Sequence, residues 1–168
     1  GGSIAFRLVD FTADFIEYES EHFRLRLTEK DTILSAYALD CLEKNYQTLG
    51  AVFKQYPVEK VIVEIYPDEG RFSLSSTLSP ETLERSGAIG ICKFNRLMIL
   101  SPRKLLMGYR WLDTLAHEYT HMLVNRVSWF NTPLWFHEGT ASYYDTLWRG
   151  NNSTAREIVS AGNKSQLM

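Results

Sequence analysis

The chain has 168 residues, 45% hydrophobic and 13% aromatic, with 18 basic and 20 acidic side chains and a net charge of −2. That composition suits one packed domain and excludes a disordered chain. The balanced charge argues against nucleic acid or an anionic membrane as the main partner, and no run of about eighteen apolar residues exists to form a transmembrane segment.

The chain opens Gly1-Gly2-Ser3 without a methionine, which reads as an expression scar or a cut from a longer protein. A signal or anchor segment can have been removed, which leans the expectation towards an extracytoplasmic location and leaves the compartment open. Cys41 and Cys92 are too few for a disulfide framework. Cys41, among Ala38, Leu39 and Leu42, is expected to be a small buried hydrophobe.

Apolar and polar residues alternate over 15–18 and 23–27, which predicts two strands. His22, between them, is expected to be an ordinary surface or strand-end residue. Thr28-Glu29-Lys30-Asp31 is a helix-start signal. A long amphipathic helix follows to about residue 55, with Ile33, Leu34, Tyr37, Ala38, Cys41, Leu42, Tyr46, Leu49, Val52 and Phe53 on its inner side, and Tyr56-Pro57 ends it. Residues 58–66 read as a short apolar strand closed by Pro67-Asp68-Glu69-Gly70. The serine-rich stretch 71–86 is expected to be a loop with a helical turn. Residues 88–93 and 97–100 read as strands joined around Asn95-Arg96, after which Pro102 begins the approach to the next helix.

Over 110–127, Trp111, Leu112, Leu115, Ala116, Tyr119, Met122, Leu123 and Val127 recur at helical spacing, while Thr114, His117 and His121 form a separate polar stripe. A second helix has Thr132 as N-cap, Pro133 at its first position and Gly150 as its stop. Gly139 inside it costs about 1 kcal/mol relative to alanine. A close approach of the two helices would justify it; a merely tolerated glycine is the alternative. Strands first and helices last predict an α+β fold: a small mixed sheet, one long helix packed on it, and the histidine-bearing helix beneath. The domain is placed at 1–150. The polar tail 151–168 is expected to be poorly ordered, or the start of a further C-terminal subdomain. Its Asn151, Asn152 and Asn163 match glycosylation acceptors, which carries little weight without a known host.

The chemistry is concentrated in His117-Glu118-Tyr119-Thr120-His121 and the later Trp135-Phe136-His137-Glu138-Gly139-Thr140-Ala141. On a helix, histidines at i and i+4 stand one turn apart on one face and can reach one tetrahedral Zn²⁺. Glu118 lies beside that face and reaches a metal-bound water rather than the metal. Glu138 is the expected third ligand, with the fourth position open to water, so one zinc per chain is expected and neither cysteine is needed to bind it. The alternative is a pair of histidines hydrogen-bonded in a core.

This pair of motifs resembles the gluzincin zinc metallopeptidases. The second motif is similar to the Trp-Leu-Asn-Glu-Gly-Phe-Ala signature of their aminopeptidase branch, with His137 in place of the asparagine. The closer resemblance is to the peptidase MA-like group, in which a Pro-x-Trp-x-x-Glu-Gly-x-Ala segment follows the zinc helix; Pro133 begins it here. The resemblance covers about residues 88–147, and it implies a zincin-like fold, zinc on His117, His121 and Glu138, and Glu118 as the catalytic carboxylate. In zincins an edge strand beside the zinc helix pairs with extended substrate. Here that strand would be Gly87, Ala88, Ile89, Gly90, Ile91 and Cys92, whose glycines admit a close backbone; an ordinary hairpin with its glycines at a bulge is the equal alternative.

The expected reaction is hydrolysis of a peptide or protein substrate, with Glu118 as general base and then acid. Asp145, or failing it Asp113, is the candidate orienting partner of a ligand imidazole. Tyr109, Tyr119, Tyr143 and Tyr144 are candidate oxyanion donors, and His137 is expected at the cleft rim. Two rival readings stand beside this one: a zinc-binding interaction module without catalysis, and a zinc hydrolase of a non-peptide amide.

Overall fold

The computed structural model describes residues 12–77, 89–93, 95–104, 109–128 and 132–149. Among them five strands make one mixed sheet: β1 (Ile16–Glu19), β2 (Phe23–Leu27), β3 (Val61–Tyr66), β4 (Gly90–Lys93) and β5 (Arg96–Leu100), in the order β1-β2-β3-β5-β4. The centre, β2-β3-β5, is parallel, and each flank is an antiparallel pair. The α-helices are α1 (Ser35–Phe53), α2 (Glu69–Ser76), α3 (Trp111–Ser128) and α4 (Leu134–Tyr144). The class is α+β, as the element order predicts.

Strand alternation decides the layers. Phe23, Leu25 and Leu27, Val61, Val63 and Ile65, and Leu97 and Ile99 all turn to one face and are fully buried. They pack against Ala38, Leu42, Tyr46 and Leu49 of α1 and against Leu115, Tyr119, Met122 and Leu123 of α3. Parallel β2 and β3 need a crossover, and α1 supplies it. On the opposite face Tyr66, Met98 and Leu100 meet Phe72 of α2. Glu64 is fully buried on that face, where Arg26, Arg96 and the Tyr66 hydroxyl all donate to its carboxylate. No helix among the described residues is long and apolar enough to cross a membrane.

Several elements depart from the sequence reading. The long helix begins as a 3-10 turn, Glu29–Leu34, and becomes α-helical only at Ser35. The tighter turn shifts the phase, so Ile33 faces water. Tyr37 stands about 100° round the helix from buried Ala38 and is also exposed, as is Val52 in the last turn. The strand expected at 58–66 starts only at Val61. The segment expected to close it, Pro67-Asp68-Glu69-Gly70, instead starts a helix: the Asp68 carboxylate accepts the Arg71 amide hydrogen at 2.9 Å and caps α2, which occupies part of the expected loop.

Pro133, not Thr132, holds the N-cap position of the last helix, with extended backbone (φ −62°, ψ 149°). The Thr132 hydroxyl donates to Ser128 Oγ instead. α4 ends at Tyr144 with Asp145 as its C-cap, well short of the expected stop. The cause is tertiary: the next turn, Leu147–Arg149, is drawn to α3, with Trp148 Nε1 and Arg149 both donating to the Asp113 carboxylate. Gly150 and the tail 151–168 lie outside the described residues.

Candidate metal centre

α3 buries Leu115, Ala116, Tyr119, Met122 and Leu123 against the sheet and α1, which turns its polar stripe towards α4. His117 and His121 bring their Nε2 atoms within 3.1 Å of each other. Glu138 of α4 closes the triangle, with Oε2 at 3.5 Å from His117 Nε2 and Oε1 at 3.5 Å from His121 Nε2. Bonds of about 2.0–2.1 Å in a tetrahedron give donor–donor edges of about 3.3–3.4 Å, so these three atoms are spaced to share one ion. The donor chemistry fits as well. The carboxylate only accepts, and burial together with the charge of His117 pushes His121 down to about 4, so its imidazole is neutral and carries a lone pair. These three residues can hold a metal ion. The two imidazoles are partly buried, at 23% and 15% exposure, while Glu138 is at 54%, so the cluster opens to solvent on the α4 side.

Glu118 stands outside the three-atom cluster and is buried. Burial, with the Glu138 carboxylate second, raises its pKa to about 8, and a hydrogen bond from the Cys92 amide offsets part of that rise. The amide comes from β4, which lies at the edge of the sheet and packs on α3. Gly90 makes this packing feasible. A Cβ there would come within 2.7 Å of Thr114 Cγ2 and 2.9 Å of Glu118 Oε1. The carbonyl of Ile89 accepts from the Leu100 amide at 2.9 Å, prolonging the β4–β5 pairing. Of the strand expected to meet substrate, Ile89, Gly90, Ile91 and Cys92 therefore lie at a sheet edge beside Glu118; Gly87 and Ala88 lie outside the described residues.

Between β4 and α3 is a cavity of about 340 Å³, lined by His117 and Glu118, by Gly90, and by the charged side chains of Arg110, Asp113 and Asp145. Neither aspartate is hydrogen-bonded to an imidazole among the described residues. Asp113 instead ties Arg110, Trp148 and Arg149 together.

The four tyrosines are dispersed. Tyr119 is in the core against Phe23, Tyr109 donates to the Leu100 carbonyl, Tyr144 packs on Phe53, and Tyr143 faces water; none lines the cavity. The His137 ring lies 5.8 Å from that of His121, outside the donor set. Gly139 has nothing within 4 Å of where its Cβ would be, so no close helix approach explains it. His22 is engaged elsewhere, with Nδ1 at 2.7 Å from Glu43 Oε2.

Sequence reasoning missed the parts that reach Glu118 from outside its own helix, the Gly90 contact and the Cys92 amide. It also missed Arg110 as a cavity wall, although Arg110, just before α3, stands at helical spacing (i, i+4, i+7) from Thr114 and His117 on it. No protein-family model matches the chain, and a search of the curated proteins finds no match.

Proposed function

We propose that this protein is a zinc-dependent metallopeptidase of the gluzincin type, with a zincin-like fold, close to the peptidase MA-like group. The observation that carries the reading is the convergence of His117 Nε2, His121 Nε2 and the Glu138 carboxylate at 3.1–3.5 Å, with Glu118 beside them but outside the set. A zinc ion held there supplies Lewis-acid polarisation of a carbonyl and a water of lowered pKa.

The remaining work belongs to the protein. Glu118 takes the proton of the attacking water and delivers it to the departing amine, a role suited to a carboxylate whose proton affinity is raised towards neutrality. The Cys92 amide holds that carboxylate against β4. Edge strand β4 offers its backbone to an extended peptide, which aligns the scissile bond beside Glu118. Burial of Glu118 keeps bulk water from competing for the proton.

The test is cleavage of a mixed peptide library, read by mass spectrometry, with wild type and Glu118→Gln. Cleavage by wild type, reduced about 10²–10⁴-fold in the variant at unchanged metal content, is the expected result. Full activity in the variant would overturn the role of Glu118. Metal retained with no cleavage by wild type would move the chain to the recognition-module reading, and turnover of small non-peptide amides alone would move it to the other rival.

A further inference from the structure

The cavity beside Glu118 has charged walls whose needs are unequally met. Asp113 is saturated. Arg149 donates to both its oxygens at 2.6 and 2.7 Å, Arg110 Nε lies 2.5 Å from Oδ2, and Trp148 Nε1 donates to Oδ1 at 3.2 Å. Asp145 lines the same cavity and makes no hydrogen bond or ion pair among the described residues. It is also the C-cap of α4, whose last turn carries no basic residue. The unsatisfied carbonyls of that helix end add partial negative charge where the carboxylate already sits. Burial, followed by the charge of Asp113, raises the pKa of Asp145, and the more distant charges of His117, Arg110 and Arg149 offset only part of that rise. Arg110 acts on Asp145 only through its charge: its Nε is engaged with Asp113, its side chain is 66% exposed, and it makes no ion pair with Asp145.

We propose that this cavity is a substrate subsite for a cationic group, a primary ammonium or a guanidinium, and that Asp145 is the residue that selects for it. The proposal rests on the peptidase reading, because the cavity adjoins Glu118 and runs along Gly90, where an extended substrate would lie. Its volume of about 340 Å³ accommodates one long basic side chain. The charge can come from two sources. A lysine or arginine side chain would make the enzyme selective for basic residues next to the cut; a free α-amine would make it selective for the amino terminus of its substrate.

NMR titration of the metal-loaded full chain with capped amino acids gives dissociation constants whether or not any bond is cut. The probes are N-acetyl-lysine amide, norleucine amide with its free α-amine, N-acetyl-norleucine amide, which carries no charge, and N-acetyl-glutamate amide. At least one cationic probe is expected to bind about fivefold tighter than N-acetyl-norleucine amide, the scale of one partly exposed ion pair. Preference for the lysine probe assigns the side chain, and preference for norleucine amide assigns the α-amine. Asp145→Asn, with Asp145→Ala as a second variant, is expected to erase the difference at unchanged metal content and unchanged binding of the uncharged probe.

Equal affinities, no binding of any probe, a preference that survives both substitutions, or tighter binding of the glutamate probe would each overturn the proposal. Failure of the peptidase reading looks different: the cationic preference would persist in a metal-loaded protein that cleaves no peptide.

Discussion

Two histidine–carboxylate clusters in this chain look alike as inventories and differ in their hydrogens. At the first, Glu43 accepts from the Ser20 hydroxyl at 2.6 Å, from the His22 amide at 2.9 Å and from His22 Nδ1 at 2.7 Å, while the His22 ring stacks on Tyr46 with centroids 3.6 Å apart. Every acceptor there has a donor, and the set is closed. At the second, two imidazole nitrogens and a carboxylate face one another at 3.1–3.5 Å with at most one proton to share between the nitrogens. That set is short of positive charge, which a divalent cation would supply. Matched donors mark a histidine that holds the fold, and converging lone pairs mark a candidate metal centre.

The largest effect that can break this contrast is on turnover. Glu118→Gln should lower peptide cleavage about 10²–10⁴-fold in a steady-state assay while the metal stays bound. Gly90→Ala comes next. Its neighbours are the ends of the Thr114 and Glu118 side chains, so the fold can give way, and the displacement falls on the Glu118 carboxylate. A loss of activity on the order of 10²-fold at nearly unchanged thermal stability is expected; unchanged activity would show that Glu118 tolerates misplacement.

The first cluster should respond in stability alone. His22→Ala removes a hydrogen bond and a stacked ring and should cost about 1–2 kcal/mol in denaturant unfolding without touching metal content. Burial of Glu43 works against ionisation, but hydrogen bonds from Ser20 and His22 outweigh it and lower its pKa. A depressed carboxylate adds stability above its unfolded pKa and loses it as pH falls through the folded value. Glu43→Gln should therefore flatten the acid limb of the stability curve, and an unchanged limb would contradict the closed set. The smallest effect is Gly139→Ala, where a methyl meets open space in a helix; a gain of about 0.5–1 kcal/mol is expected by the same unfolding measurement.

Local patterns made much of this legible. The alternation in β2, the helical spacing of α3 and the i, i+4 histidines are each set within a few residues, so the sheet strands, the helix and the facing imidazoles followed from them. What escaped depends on chain segments meeting. The end of α4 is set by an ion pair to Asp113, and Asp31, which reads as part of a helix start, is fully buried because Ser101 and Arg103 reach it. His22 read as an ordinary surface or strand-end residue and does lie outside the donor set, but its partner Glu43 comes from α1 and no local spacing announces it. Gly90 read as permissive backbone, but its reason is a carboxylate on another element.

The measurement closest to the central claim is the metal content of wild type, His22→Ala and Glu138→Ala, each purified and then offered zinc in excess before dialysis. About one zinc per chain in the first two and a sharp loss in the third is the result this account requires. No zinc in wild type, or equal zinc in all three, would mean that the converging histidines do not form a metal centre.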